Sequence, residues 1–295
     1  MARHPGIRDL DFFRAQQVLL EGLFPSGWLA EAKNAAHPAA LRWRLLQRLI
    51  DQRGIMLFPE QDADLPLLSR TLLDGVLIAQ ATEGDVINLM AGPVSNYGGI
   101  DVEKKLRSRV TSPAAFEDLM LEVSFAALHK MMPRHGVEPL EVAGADFRIR
   151  LPDGALLVPE CKRIVSATER RVTKEVQYAN RQIKQIPGDY GVAVFDVSIA
   201  AQAAHAGFGD EAPTVIRDLE RLVTPALSGP KNRRVAEVVL LWDVCLVQKP
   251  IVAFNRRYRR IAHKPDPGVR PIPAEVNVYS GLATYFRIEP MPRAE

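Results

Sequence analysis

The sequence predicts an α/β protein in which one mixed central sheet is flanked by helices and preceded by a helical N-terminal region. Three observations carry that expectation. From about residue 10 to 90, apolar residues recur every three or four positions, the period of helices with a buried side. From residue 136 onward come short runs of β-forming residues bounded by Pro, Gly and Asp. From residue 113 the order reads helix, three strands, helix, strand, helix, strand, the layout of helices packed on a single sheet.

Composition agrees with an ordinary folded chain. The 295 residues are 47% hydrophobic and 25% charged, with a formal charge of +3 that permits a polyanionic partner without demanding one. The opening "MARHPGIRDLDFF" lacks the apolar run of a secretory signal. The most apolar windows, 65–81 and 235–247, are interrupted by Arg70 and Asp74 and by Glu237 and Asp243, which speaks against a membrane span. Cys161 and Cys245 lie in apolar β-like runs without metal or redox spacing, so buried, reduced thiols and a cytoplasmic location are expected.

Taken in order, the N-terminal helices are expected over 11–24, 38–53 and 64–90. The loop "AGPVSNYGG" at 91–99 matches neither phosphate-binding glycine pattern and serves as a boundary. The chain then divides into a helical region (1–98), an α/β domain (99–250) and a basic, proline-containing extension (251–295). Ser112 and Pro113 open a helix that stops at Pro133 and is apolar on every side, as a buried helix is. Glu122 at its middle must then have an arginine partner, or its face must be solvated. His129 and His135 do not form a His-Glu-X-X-His motif and are read as capping or pairing near the helix end. Segments 136–142, 145–151 and 155–165 read as a three-stranded meander, the last two joined by the turn Pro152-Asp153-Gly154. Val172, Val176, Ala179, Ile183 and Ile186 then make one apolar stripe of a crossover helix, and 190–199 is a buried strand parallel to an earlier one. A helix over 212–227 leads to another buried strand over 235–247, and a last strand is expected within 277–288.

The chemistry concentrates in "GADFRIRLPDGALLVPECKRI" (144–164). Side chains alternate along a strand, so Glu160 and Lys162 share one face while Cys161 points the other way. Counting back through the hairpin brings Asp146 opposite positions 160–162. Two close carboxylates can hold a divalent cation, with the Cys161 carbonyl as a third hard oxygen ligand. Lys162 can then orient a water or stabilise developing charge, and Glu122 can complete the outer shell.

With these residues, the sequence resembles the PD-(D/E)XK nuclease superfamily, also called restriction-endonuclease-like, over roughly residues 112–200. The resemblance matches Glu122 to the family's helix acid, Asp146 to its first metal ligand, and Glu160 and Lys162 to the ends of its Glu-X-Lys triplet. Gln182 resembles the glutamine that many members place near the active site, and Ala145 stands where the signature has proline. What this implies is a Mg²⁺- or Mn²⁺-dependent nuclease acting on DNA by water attack. The alternative is a non-catalytic module of the same fold that binds nucleic acid or a protein. A protein partner for the N-terminal helices and a homodimer are compatible with either. Arg256, Arg257, Tyr258, Arg259 and Arg260 form a basic run that is either solvated surface or a nucleic-acid contact, and "KNRR" at 231–234 is a second cluster.

Overall fold

The computed structural model describes residues 10–51, 65–82, 96–97, 100–101, 108–132, 134–139, 147–203, 214–228, 234–248, 251–262 and 284–288. Asp146, most of the 91–99 loop, residues 231–233 and the proline-rich stretch after 262 lie outside them. The chain is mixed α/β. Helices α1 (Leu10–Gly22), α2 (Pro38–Asp51) and α3 (Leu65–Thr82) come first, followed by a two-residue ribbon of β1 (Asn96–Tyr97) and β2 (Ile100–Asp101). Helix α4 (Pro113–Lys130) precedes β3 (Gly136–Pro139), β4 (Phe147–Arg150) and β5 (Leu156–Arg163). Helix α5 (Glu169–Ile183) crosses to β6 (Tyr190–Asp196); α6 (Ser198–Ala203) and α7 (Thr214–Leu227) lead to β7 (Val235–Gln248), β8 (Ile251–Ala262) and β9 (Thr284–Ile288).

Strands β3 to β9 form one seven-stranded sheet in sequence order. Neighbours pair antiparallel except β5–β6 and β6–β7, which are parallel, as the helical crossovers require. The expected meander is therefore present. At its turn, Gly154 takes the positive φ of 85° that a side chain resists, while the Asp153 carboxylate accepts the Ala155 N–H. Gly191 has a different reason: a Cβ there would lie 2.3 Å from the Arg234 carbonyl and 2.5 Å from Ile183, so only glycine lets α5 settle onto β6.

Alternation along the strands sorts the core into two layers. On one face Phe147, Ile149, Leu157, Cys161, Val192 and Val239 join the apolar sides of α1 to α4 in a continuous cluster. On the other, Val158, Ala193, Phe195, Val238 and Leu240 meet Val172, Val176, Ala179 and Ile183 of α5 and Ile216, Leu219 and Val223 of α7. The N-terminal helices thus share a core with the sheet. The chain from Ile251, expected to begin an extension, continues the sheet as β8 instead, pairing with β7 over twelve positions.

Beneath α2 to α4 lies a closed ring of buried polar groups. Arg42 bonds Asp74 (2.8 Å) and Glu117 (2.8 and 3.2 Å); Asp74 bonds Arg256 (2.7 Å); Arg256 forms two bonds with Asp243 (2.7 and 3.0 Å). The Asp243 N–H donates to Ser198 Oγ, whose hydroxyl donates to Asp196; Asp196 accepts from Arg163, and Arg163 returns to Glu117 at 2.7 Å. Burial alone would raise the Glu117 carboxyl, but Arg42, Arg163 and Arg70 hold it well below the usual carboxylate range. Near the end of α4, His129 and His135 pair through their Nδ1 atoms at 3.0 Å, stacked at 27°. Among the described residues, no helix is long and apolar enough to cross a membrane.

Candidate active site at the end of strand β5

Strand β5 lies inside the sheet between β4 and β6, and its last two residues rise from a buried run into partial exposure. Leu156 accepts from the Asp189 N–H and Ile164 donates to the Asp196 carbonyl, so the even-numbered residues of β5 turn their backbone groups toward β6. Cys161, being odd, turns its N–H and carbonyl toward the β4 side. Its side chain packs with the α1–α4 layer, as alternation dictates, while Glu160 and Lys162 project to the other face.

There Lys162 Nζ lies 3.3 Å from Glu160 Oε1, with the Glu160 side chain 8% and the Lys162 side chain 25% exposed. The ammonium also stands over the Tyr178 ring of α5, 5.2 Å from its centroid, and Arg181 approaches the same ring at 5.6 Å. Burial by itself would lower the Lys162 pKa. The carboxylates of Glu160, Asp118 and Glu122 outweigh it and hold the amine above its ordinary value, so Lys162 is a fixed cation at neutral pH.

Glu122 is buried on α4, and of the two alternatives left by the sequence, a solvated face or an arginine partner, the structure takes the second: the partner is Arg109, in the helical turn at 108–110. Its guanidinium donates to both carboxylate oxygens, at 2.8 and 2.9 Å. Gln182 is half-buried, one helical turn after Tyr178 on the same side of α5. The structure therefore gathers Glu160, Lys162 and, through its field, Glu122, with Gln182 on the adjoining helix face. Asp146 lies outside the described residues. Sequence reasoning did not single out Asp118, Arg109 or Tyr178. Asp118 was legible one turn before Glu122, whereas nothing in spacing ties Arg109 to Glu122 across thirteen positions.

The basic run is redistributed. Arg256 is 1% exposed and belongs to the ring, so it reaches no phosphate. Arg260 pairs with Glu237, Arg259 pairs with Glu220 at 3.0 and 3.2 Å, and Tyr258 packs against the core, while Arg257 is half-buried. Strand alternation splits these five residues between the two faces of β8, which is why they do not form one patch.

Among the described residues, no group of three or more His, Cys, Asp or Glu side chains could hold a metal ion. The Glu160 carboxylate and the Cys161 carbonyl are nonetheless hard oxygen donors at consecutive positions, and Lys162 already meets one of them as a counter-cation, so the donor chemistry fits a divalent ion. No protein-family model, curated protein or solved structure matches the chain.

Proposed function

We propose that the chain is a metal-dependent nuclease with a restriction-endonuclease-like core, hydrolysing phosphodiester bonds in DNA. The observation that carries this reading is the Glu160–Lys162 pair, side by side at the end of a strand inside the sheet, with the charges of Asp118 and Glu122 on α4 acting on the ammonium from a distance. The reading requires Asp146 to meet Glu160.

Asp146, Glu160 and the Cys161 carbonyl would hold Mg²⁺ or Mn²⁺. When bound, such an ion polarises a phosphoryl oxygen and lowers the pKa of a coordinated water. The remaining work falls to the chain itself. Lys162 stays protonated and so acts as a charge rather than a base, directing the attacking water or stabilising negative charge on the phosphoryl oxygens. Tyr178 fixes the direction of that ammonium by holding it over its ring. Glu122 orients the Arg109 guanidinium, and the Gln182 amide can hydrogen-bond a substrate oxygen from α5.

The test is incubation of purified protein with single- and double-stranded DNA and RNA in Mg²⁺, Mn²⁺ or EDTA, alongside Glu160→Ala. Metal-dependent cleavage that Glu160→Ala abolishes, with weaker Mn²⁺ binding by calorimetry, is expected. A folded wild type that neither binds metal nor cleaves any of the four substrates overturns the reading. The second reading, a non-catalytic nucleic-acid-binding module, draws on the neutralisation of Glu122 by Arg109 and of Glu160 by Lys162. In that case Glu160→Ala tightens DNA binding, because an acid beside the phosphate is removed.

A further inference from the structure

Helix α5 has a second stripe, opposite its apolar one. Arg170, Lys174, Gln177, Arg181 and Lys184 follow one another by four, three, four and three residues, and all five are exposed. The arginine and lysine side chains of this stripe form no ion pair with any carboxylate among the described residues, whereas Arg256, Arg259 and Arg260 of β8 are all paired. The neighbouring acids do little to offset them. Glu175 is buried and held by Arg171, Asp189 accepts the Leu156 N–H beyond the end of the helix, and Glu169 lies exposed at its beginning.

We infer that this face of α5 is the surface along which a DNA phosphate backbone docks. The choice of DNA as occupant rests on the nuclease reading, and charge complementarity and spacing support it independently. The four cations of the stripe are separated by rises of about 6, 10.5 and 4.5 Å, with Gln177 in the widest gap, and Arg170 to Lys184 spans about 21 Å along the axis. One strand of duplex DNA carries a phosphate every 3.4 Å of its axis, so that length faces about six phosphates. The stripe also leads into the site. Arg181 and Lys162 share the Tyr178 ring, so a strand lying along α5 is delivered to the end of β5.

The experiment neutralises Arg170, Lys174 and Lys184 (R170Q/K174Q/K184Q), leaving Arg181 beside Tyr178 untouched. A control triple, R14Q/K33Q/R221Q, removes the same charge from exposed positions on other elements. Binding of 30-nucleotide single- and double-stranded DNA is measured in EDTA between 50 and 200 mM salt, with thermal melts to verify folding. The α5 triple is expected to bind at least about tenfold more weakly, with the slope of log affinity against log salt reduced by two to three, while the control keeps the wild-type slope. Equal losses in both triples, an unchanged slope in the α5 triple, or no DNA binding by the wild type overturns the proposal. So does binding to phosphatidylserine vesicles in place of DNA. Because EDTA removes cleavage from the measurement, a wild type that binds through α5 yet never cleaves sinks the nuclease reading alone.

Discussion

Two charged constellations occupy this molecule, and they use the same residue types to opposite ends. In the ring beneath α2 to α4, Arg42, Arg70, Arg163 and Arg256 face Asp74, Glu117, Asp196 and Asp243, and every one of these charges meets its opposite in near-complete burial. At the end of β5, Lys162 pairs with Glu160 at a quarter exposure, and the charges of Asp118 and Glu122 add to the field that holds it protonated. A balanced, dry ring has only one low-energy arrangement and holds elements in place. A single pair partly open to solvent is not locked in this way and leaves room for another group to approach. The two are joined in sequence, since Glu117 precedes Asp118 and Arg163 follows Lys162, so the ring sets how α4 approaches the site.

Breaking the ring should have the largest effect. Arg256→Ala leaves Asp243 and Asp74 buried without their shared counter-charge, and a loss of about 3–5 kcal/mol in urea unfolding is expected. A loss below about 1 kcal/mol would mean that the ring does not lock the fold. Lys162→Ala should cost less stability than Arg256→Ala, since the pair it breaks is partly open to solvent, and on the proposed nuclease function it should leave Mn²⁺ binding intact while lowering kcat about 10²- to 10³-fold. An equal fall in metal affinity would make the lysine a support for the ligands rather than for the reaction.

Smaller effects sharpen the contrast between buried and open charge. Burial, reinforced by His135, depresses His129 to about 3, so the unfolded chain binds its proton more readily than the folded one. Stability from this group is complete above about pH 6.5 and is lost as pH falls toward 3, at up to about 1.4 kcal/mol per pH unit. His129→Asn should flatten that slope in urea titrations at pH 5 and 7. Smallest of all, Arg259→Ala removes a pair that is 53% and 33% exposed and should cost no more than about 1 kcal/mol, because solvent already screens it. A larger cost would place α7 under the same kind of electrostatic lock as the ring.

Local chemistry alone determined the helical N-terminal third, the meander with its turn at Gly154, the crossover helix on its apolar stripe, and the common face of Glu160 and Lys162. Each depends on residues within a turn or a strand period of one another, where spacing fixes direction. Only the tertiary structure decided that β8 is a strand rather than an extension, because its charges fall on both faces and show no apolar alternation. It alone converted Arg256 from a candidate phosphate contact into a core residue, by bringing it to Asp74 across 182 positions. The pairing of Arg109 with Glu122 and the closure of the ring belong to the same class. Whether a charge is buried depends on which opposite charge the fold brings within 3 Å, and period and propensity carry no information about that distance.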